Sequence, residues 1–201
     1  MLKTSLITIV LLVSLCITGY PQEIPEIKTC DIIMWRPIAY QLFPGAMIPS
    51  EAPEFLCDNI DKLWYHVDFV TDGDRGLLMT ATPDAGAGAT STLDSRLDSG
   101  TWTDAIVLRC DTCNCDEMLI VADELEGAYD WVGYYLHVLD LSLFCSKLSF
   151  FRGIPRPLFD YHCASFVFTV TGIVDNPHVA TPFDIVNDIN SGIITDWEIV
   201  E

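Results

Sequence analysis

Between residues 63 and 109 the chain alternates apolar and polar positions with the two-residue period of half-buried strands. Leu63 to Val70 sets Tyr65, Val67 and Phe69 against His66 and Asp68. Thr71-Asp72-Gly73-Asp74-Arg75-Gly76 reads as a turn, and Leu77 to Thr82 as the returning strand. Ala85 to Thr92 is a weaker third strand, and Thr101 to Arg109 a stronger one. Met118 to Ala122, Trp131 to Leu143, Leu148 to Arg152 and Ser165 to Val174 continue the series. The end of the chain changes period. Thr181-Pro182-Phe183-Asp184 offers an N-cap, a first-turn proline and an acid three residues on, and Gly192 closes a helix over 182–190. Ile193 to Val200 returns to strand. The pattern predicts an all-β, mainly antiparallel domain with one late α-helix.

Ahead of that series, residues 20–56 carry Pro21, Pro25, Pro37, Pro44, Pro49 and Pro53, which read as interruptions of every candidate element. Ile32, Ile33, Met34 and Trp35 are nonetheless too apolar for a free tail. The expectation is a proline-rich N-terminal arm over 20–56, packed on a domain spanning 57–201. Residues 1–19 open on Lys3 and run through an apolar stretch from Leu6 to Leu15, the pattern of a secretory signal peptide and too short to span a bilayer. Secretion and no membrane span are expected.

The compartment governs the cysteines. Beyond the signal, Cys30, Cys57, Cys110, Cys113, Cys115, Cys145 and Cys163 are disulfide candidates. Seven is odd, so one thiol stays free or joins a partner chain. The cluster Cys110-Asp111-Thr112-Cys113-Asn114-Cys115 reads as a loop bridged to Cys57, Cys145 or Cys163. It lacks the second paired cluster of a structural zinc site, and no thioredoxin-type βαβ pattern surrounds it. No metal and no cofactor are expected.

A formal charge of −19 over 201 residues argues against nucleic acid as a partner. The acids are scattered, and Asp72-Gly73-Asp74 fits a turn better than a calcium loop, so calcium is at most a weak partner. His66, His137, His162 and His178 stand apart in sequence, and no Gly-x-Ser-x-Gly or phosphate-loop signature occurs. No enzyme is expected from these motifs.

One motif carries a resemblance. Asn59-Ile60-Asp61-Lys62-Leu63-Trp64-Tyr65 resembles the first strand of the lipocalins, with Lys62 where that family has glycine. Phe166 to Val170 stands where the eighth strand would, Pro182 to Asn190 where the outer helix would, and Ile194 to Ile199 where the last strand would. The resemblance implies a single calycin-like barrel closed at its base by Trp64, with Tyr65, Val67, Leu77, Met79, Phe166 and Phe168 facing a cavity for a small apolar ligand. The alternative expectation is an acidic extracellular matrix or biomineral-associated structural protein.

Overall fold

The computed structural model describes residues 24–43, 46–49, 64–132, 134, 161–178 and 180–200. The signal-like segment 1–19, Asn59 to Leu63, Cys57, Cys145, His137, Leu148 to Arg152 and most of Trp131 to Leu143 lie outside the described residues.

Strands β1 (Ile32–Pro37), β4 (His66–Asp72), β5 (Leu77–Thr82), β6 (Gly86–Thr92), β7 (Trp102–Arg109) and β8 (Glu198–Val200) form one six-stranded sheet in the order β6-β5-β4-β1-β7-β8. Every pairing is antiparallel. A separate hairpin joins β2 (Ala39–Phe43) to β3 (Ala46–Pro49). The helices are α1 (Leu93–Asp98), α2 (Cys115–Glu124), α3 (Cys163–Thr171) and α4 (Pro182–Asn190).

Strand β1 lies within the segment expected to form the N-terminal arm. Residues 32–37 lie inside the sheet between β4 and β7, so the strand series begins well before residue 57. Ile32 and Met34 pack on one face, Ile33 and Trp35 on the other, all four buried. A strand covered on both faces loses its alternation and reads as a continuous apolar run. Pro37 does not break it, because it falls at the strand end beside a register shift, opposite Trp102.

The sheet is not closed into a barrel. Among the described residues β6 and β8 are its two edges, and no ladder joins them. Two expected strands are helices. Phe166 to Val170 lies in α3, whose N-cap His162 accepts from the Ser165 backbone N–H while the Ser165 hydroxyl accepts from the His162 N–H. Gly172, at φ 62°, ends it in the left-handed conformation. Phe166, Val167, Phe168 and Val170 are buried, so α3 is apolar nearly all round and its sequence shows no helical stripe. Met118 to Ala122 lies in α2, started by Asn114, whose side chain accepts from the Glu117 N–H. The late helix stands where expected, over Pro182–Asn190, with a reciprocal cap between Thr181 and Asp184. Of Ile193 to Val200, only Glu198–Val200 is strand.

The turn at 71–76 is also as expected. Asp72 Oδ1 accepts from the Arg75 N–H at 3.1 Å, a turn contact. Gly73 is required there, because a Cβ would lie 2.7–2.8 Å from the backbone of Lys28 and Thr29.

Two apolar layers result. On one face Ile32, Met34, Val67, Phe69 and Leu108 pack with Phe166 and Phe168 of α3. On the other, Ile33, Trp35, Val70, Leu78 and Val107 are covered by Leu93 and Leu97 on and beside α1, with Trp102.

Candidate thiol site at the start of α3

The site begins with the alternation of β4. Val67 and Phe69 face α3, which turns His66 and Asp68 toward the opposite layer. A carboxylate in that apolar layer must be paired. Asp68 is fully buried and is approached from three sides. Trp35 Nε1 donates to Oδ2 at 2.8 Å. Arg96, on α1, donates through Nε at 2.9 Å and Nη2 at 2.8 Å in the bidentate fork of guanidinium on carboxylate. His66 Nε2 lies 3.1 Å from Oδ1. Burial raises the Asp68 pKa, but His66 and Arg96 outweigh it and hold the carboxyl below its ordinary value.

His66 is paired with this carboxylate, and the Cys163 thiol is hydrogen-bonded to the carbonyl of the preceding residue, Tyr65. The His66 ring stacks on Trp102 with centroids 5.4 Å apart. Burial alone lowers its pKa, yet Asp68 and then Cys163 reverse that and bring it up to about 9. The ring thus carries a proton at neutral pH.

Cys163 is the first residue of α3, where backbone N–H groups and the helix dipole favour negative charge. It is a free, buried cysteine whose thiol donates to the Tyr65 carbonyl at 3.8 Å. Tyr65, whose carbonyl it meets, belongs to a cluster of aromatic rings. The Tyr65 hydroxyl is hydrogen-bonded to that of Tyr134, with the rings edge-on at 6.0 Å. Burial first, and then Tyr134, push the Tyr65 pKa far above that of ordinary phenols, so its hydroxyl keeps its proton. Trp131 meets Tyr134 edge-on at 6.1 Å and Tyr129 at 5.1 Å, yet is 47% exposed.

Of the residues expected to line a cavity, Val67, Phe166 and Phe168 are completely buried in the layer between sheet and α3, with Met79 against it. Trp64 joins that same packed layer. Leu77 stands apart, half-buried and paired with Asp72 and Thr92. Tyr65 alone belongs to the thiol site.

The cysteine cluster also differs from expectation. Cys110 bridges Cys113, and Cys115 bridges Cys30, not Cys57, Cys145 or Cys163. Register explains the partner. β1 begins just after Cys30 and pairs with β7, which ends just before Cys110. Arg109 clamps the join, donating to Asp31 through Nε at 2.9 Å and Nη2 at 2.6 Å. Among the described residues no group of His, Cys, Asp and Glu is arranged to hold a metal ion, and no helix is long and apolar enough to cross a membrane.

No known protein family, curated protein or solved structure matches this chain.

The site predicts a pH dependence of stability. The folded pKa of His66, about 9, lies above its ordinary 6.5. Its contribution is therefore complete below pH 6.5 and is lost as pH rises through 9, on the order of 3 kcal/mol. Asp68 acts oppositely, stabilising above the ordinary carboxylate range and losing that as pH falls through its lowered value. Thermal melts across pH 4 to 10 should show Tm falling between about 6.5 and 9. In His66→Gln that alkaline fall should be largely gone, and an unchanged alkaline limb would refute this role.

Proposed function

We propose that the protein is a thiol-dependent acyl-transfer enzyme in which Cys163 is the nucleophile, His66 the general acid–base and Asp68 the group that orients His66. The observation that carries this reading is the His66–Asp68 pair at 3.1 Å, with the free Cys163, hydrogen-bonded to the Tyr65 carbonyl next to His66, at the start of a helix. Nucleophile, base and orienting group linked in this order make up the activated-nucleophile arrangement, which recurs on unrelated folds.

The steps follow from these roles. The Cys163 thiolate attacks the carbonyl carbon of an ester or amide, forming a C–S bond. The bond to the leaving oxygen or nitrogen breaks, and protonated His66 gives that atom its proton. Water or an acceptor hydroxyl then attacks the thioester, His66 takes its proton, and the C–S bond breaks. Asp68 keeps the imidazole in place and charged, while Arg96 and Trp35 hold Asp68 without touching the substrate. The half-exposed Trp131 and its neighbours Tyr129 and Tyr134 favour an apolar or aromatic acyl group. The expected small apolar ligand would on this reading be an acyl donor at the aromatic edge, not a guest in a barrel. An acidic matrix role makes no use of this pairing.

The test is an acyl-enzyme. Incubation with activated esters of graded acyl length should add one acyl mass to the intact protein, mapped to Cys163 and absent from Cys163→Ala. Turnover without a Cys163 adduct, or adducts at other residues alone, would overturn the proposal.

A further inference from the structure

The cysteine cluster plays no part in that chemistry, and it lines a cavity of about 180 Å³ together with Lys28, Asp31 and Arg109. Both disulfides, Cys110–Cys113 and Cys30–Cys115, open onto it. Their structural duties are unequal. Cys30–Cys115 closes a separation of 85 residues and ties the start of β1 to the start of α2. Cys110–Cys113 closes a separation of three, so it removes little freedom from the unfolded chain. The long bridge is also held by backbone on its Cys30 side. Cys30 adopts φ 73°, the one non-glycine residue at positive φ among those described, and its N–H donates to Val70 at 2.8 Å. The short bridge lies in the loop between β7 and α2 and is half-exposed, as the long one is. Beside it the Thr112 hydroxyl lies 3.6 Å from Cys110 Sγ, and because that sulfur is bonded, the hydroxyl is the donor.

We propose that Cys110–Cys113 is a thiol–disulfide exchange site for a small thiol, attacked at Cys113, with Cys30–Cys115 as its fixed anchor. An incoming thiolate RS⁻ attacks Cys113 Sγ, the R–S–Sγ bond forms and the bond to Cys110 breaks. The electron pair leaves on Cys110 Sγ, where the Thr112 hydroxyl meets it until it takes a proton from water. A second RS⁻ attacks the R sulfur, releasing RSSR and the Cys113 thiolate. Two thiols are oxidised and one disulfide is reduced to a dithiol. Lability is characteristic of exposed bridges that contribute little to the fold. The sulfur attacked follows from the donor that stabilises the departing one.

The full-length oxidised protein, kept folded, is treated with millimolar reduced glutathione, quenched with an alkylating agent at intervals and mapped by mass. Cys110 and Cys113 should become alkylated within minutes while Cys30 and Cys115 remain bridged. Early quenches should show glutathione on Cys113 and not on Cys110. Thr112→Val should slow opening several-fold, and Thr112→Ser should restore it. The proposal is overturned if the short bridge resists glutathione in the folded protein, if both bridges open together, or if it yields only to a protein dithiol. Glutathione accumulating on Cys110 would overturn the assignment of Cys113 as the sulfur attacked.

Discussion

Asp68→Ala is expected to destabilise the fold by about 3–5 kcal/mol, the largest single effect of any substitution outside the apolar layers. The reason is what stays behind. The Arg96 guanidinium, the Trp35 indole N–H and the His66 imidazolium all point at the missing carboxylate from partly or wholly buried positions. Each then bears its desolvation cost without compensation. Arg96→Met should cost less, because it leaves the Asp68 carboxylate still paired with His66 and Trp35. Urea unfolding with equal m-values measures both. A loss for Asp68→Ala within about 1 kcal/mol of zero would mean that the cluster is a solvated surface group, whose pairs are worth that little.

The order of the two effects separates structure from chemistry. Asp68 and Arg96 hold the scaffold and, in the proposed reaction, act on the thiol only through His66. Cys163 and His66 contribute less to the fold and are expected to decide reactivity.

Much of the sheet was legible in the sequence. The alternation of Tyr65, Val67 and Phe69 against His66 and Asp68 specified both the strand and its two faces, and Leu77–Thr82 and Trp102–Arg109 followed by the same period. The helix at Pro182–Asn190 was legible because proline, cap and apolar spacing agreed. What misled were elements buried all round. β1 is covered on both faces and α3 on nearly every side, so neither shows the period of its own structure. For α3 the β-branched and aromatic content then favoured strand, and tertiary packing overrode that preference. The caps were the better guide: His162 with Ser165, and Gly172, bracket α3 as Thr181 with Asp184 brackets α4.

The thiol site was illegible for a different reason. Cys163 and His66 are 97 positions apart by subtraction of their numbers, and no short motif joins residues that meet only when α3 packs on the sheet. Two signals did exist. The odd cysteine count foretold a spare thiol, and His66-x-Asp68 on an alternating strand places an imidazole and a carboxylate on one face.

The second large effect is on the thiol. Removing His66 takes away the imidazolium that, in the proposed reaction, gives its proton to the leaving group. The general acid–base contribution is typically about 10²–10⁴-fold. His66→Gln should therefore slow acylation of Cys163 by about that factor while leaving the protein folded. The wild-type rate should fall above about pH 9, as His66 loses its proton.

The most direct measurement is the rate at which an activated ester acylates Cys163, followed by intact mass from pH 5 to 10 in the wild type and His66→Gln. The account predicts a single adduct on Cys163, a wild-type rate that falls above about pH 9, and in His66→Gln a rate lower by about 10²-fold or more. Equal rates in the two proteins, or a wild-type rate climbing steadily with pH like that of a free thiol, would contradict it.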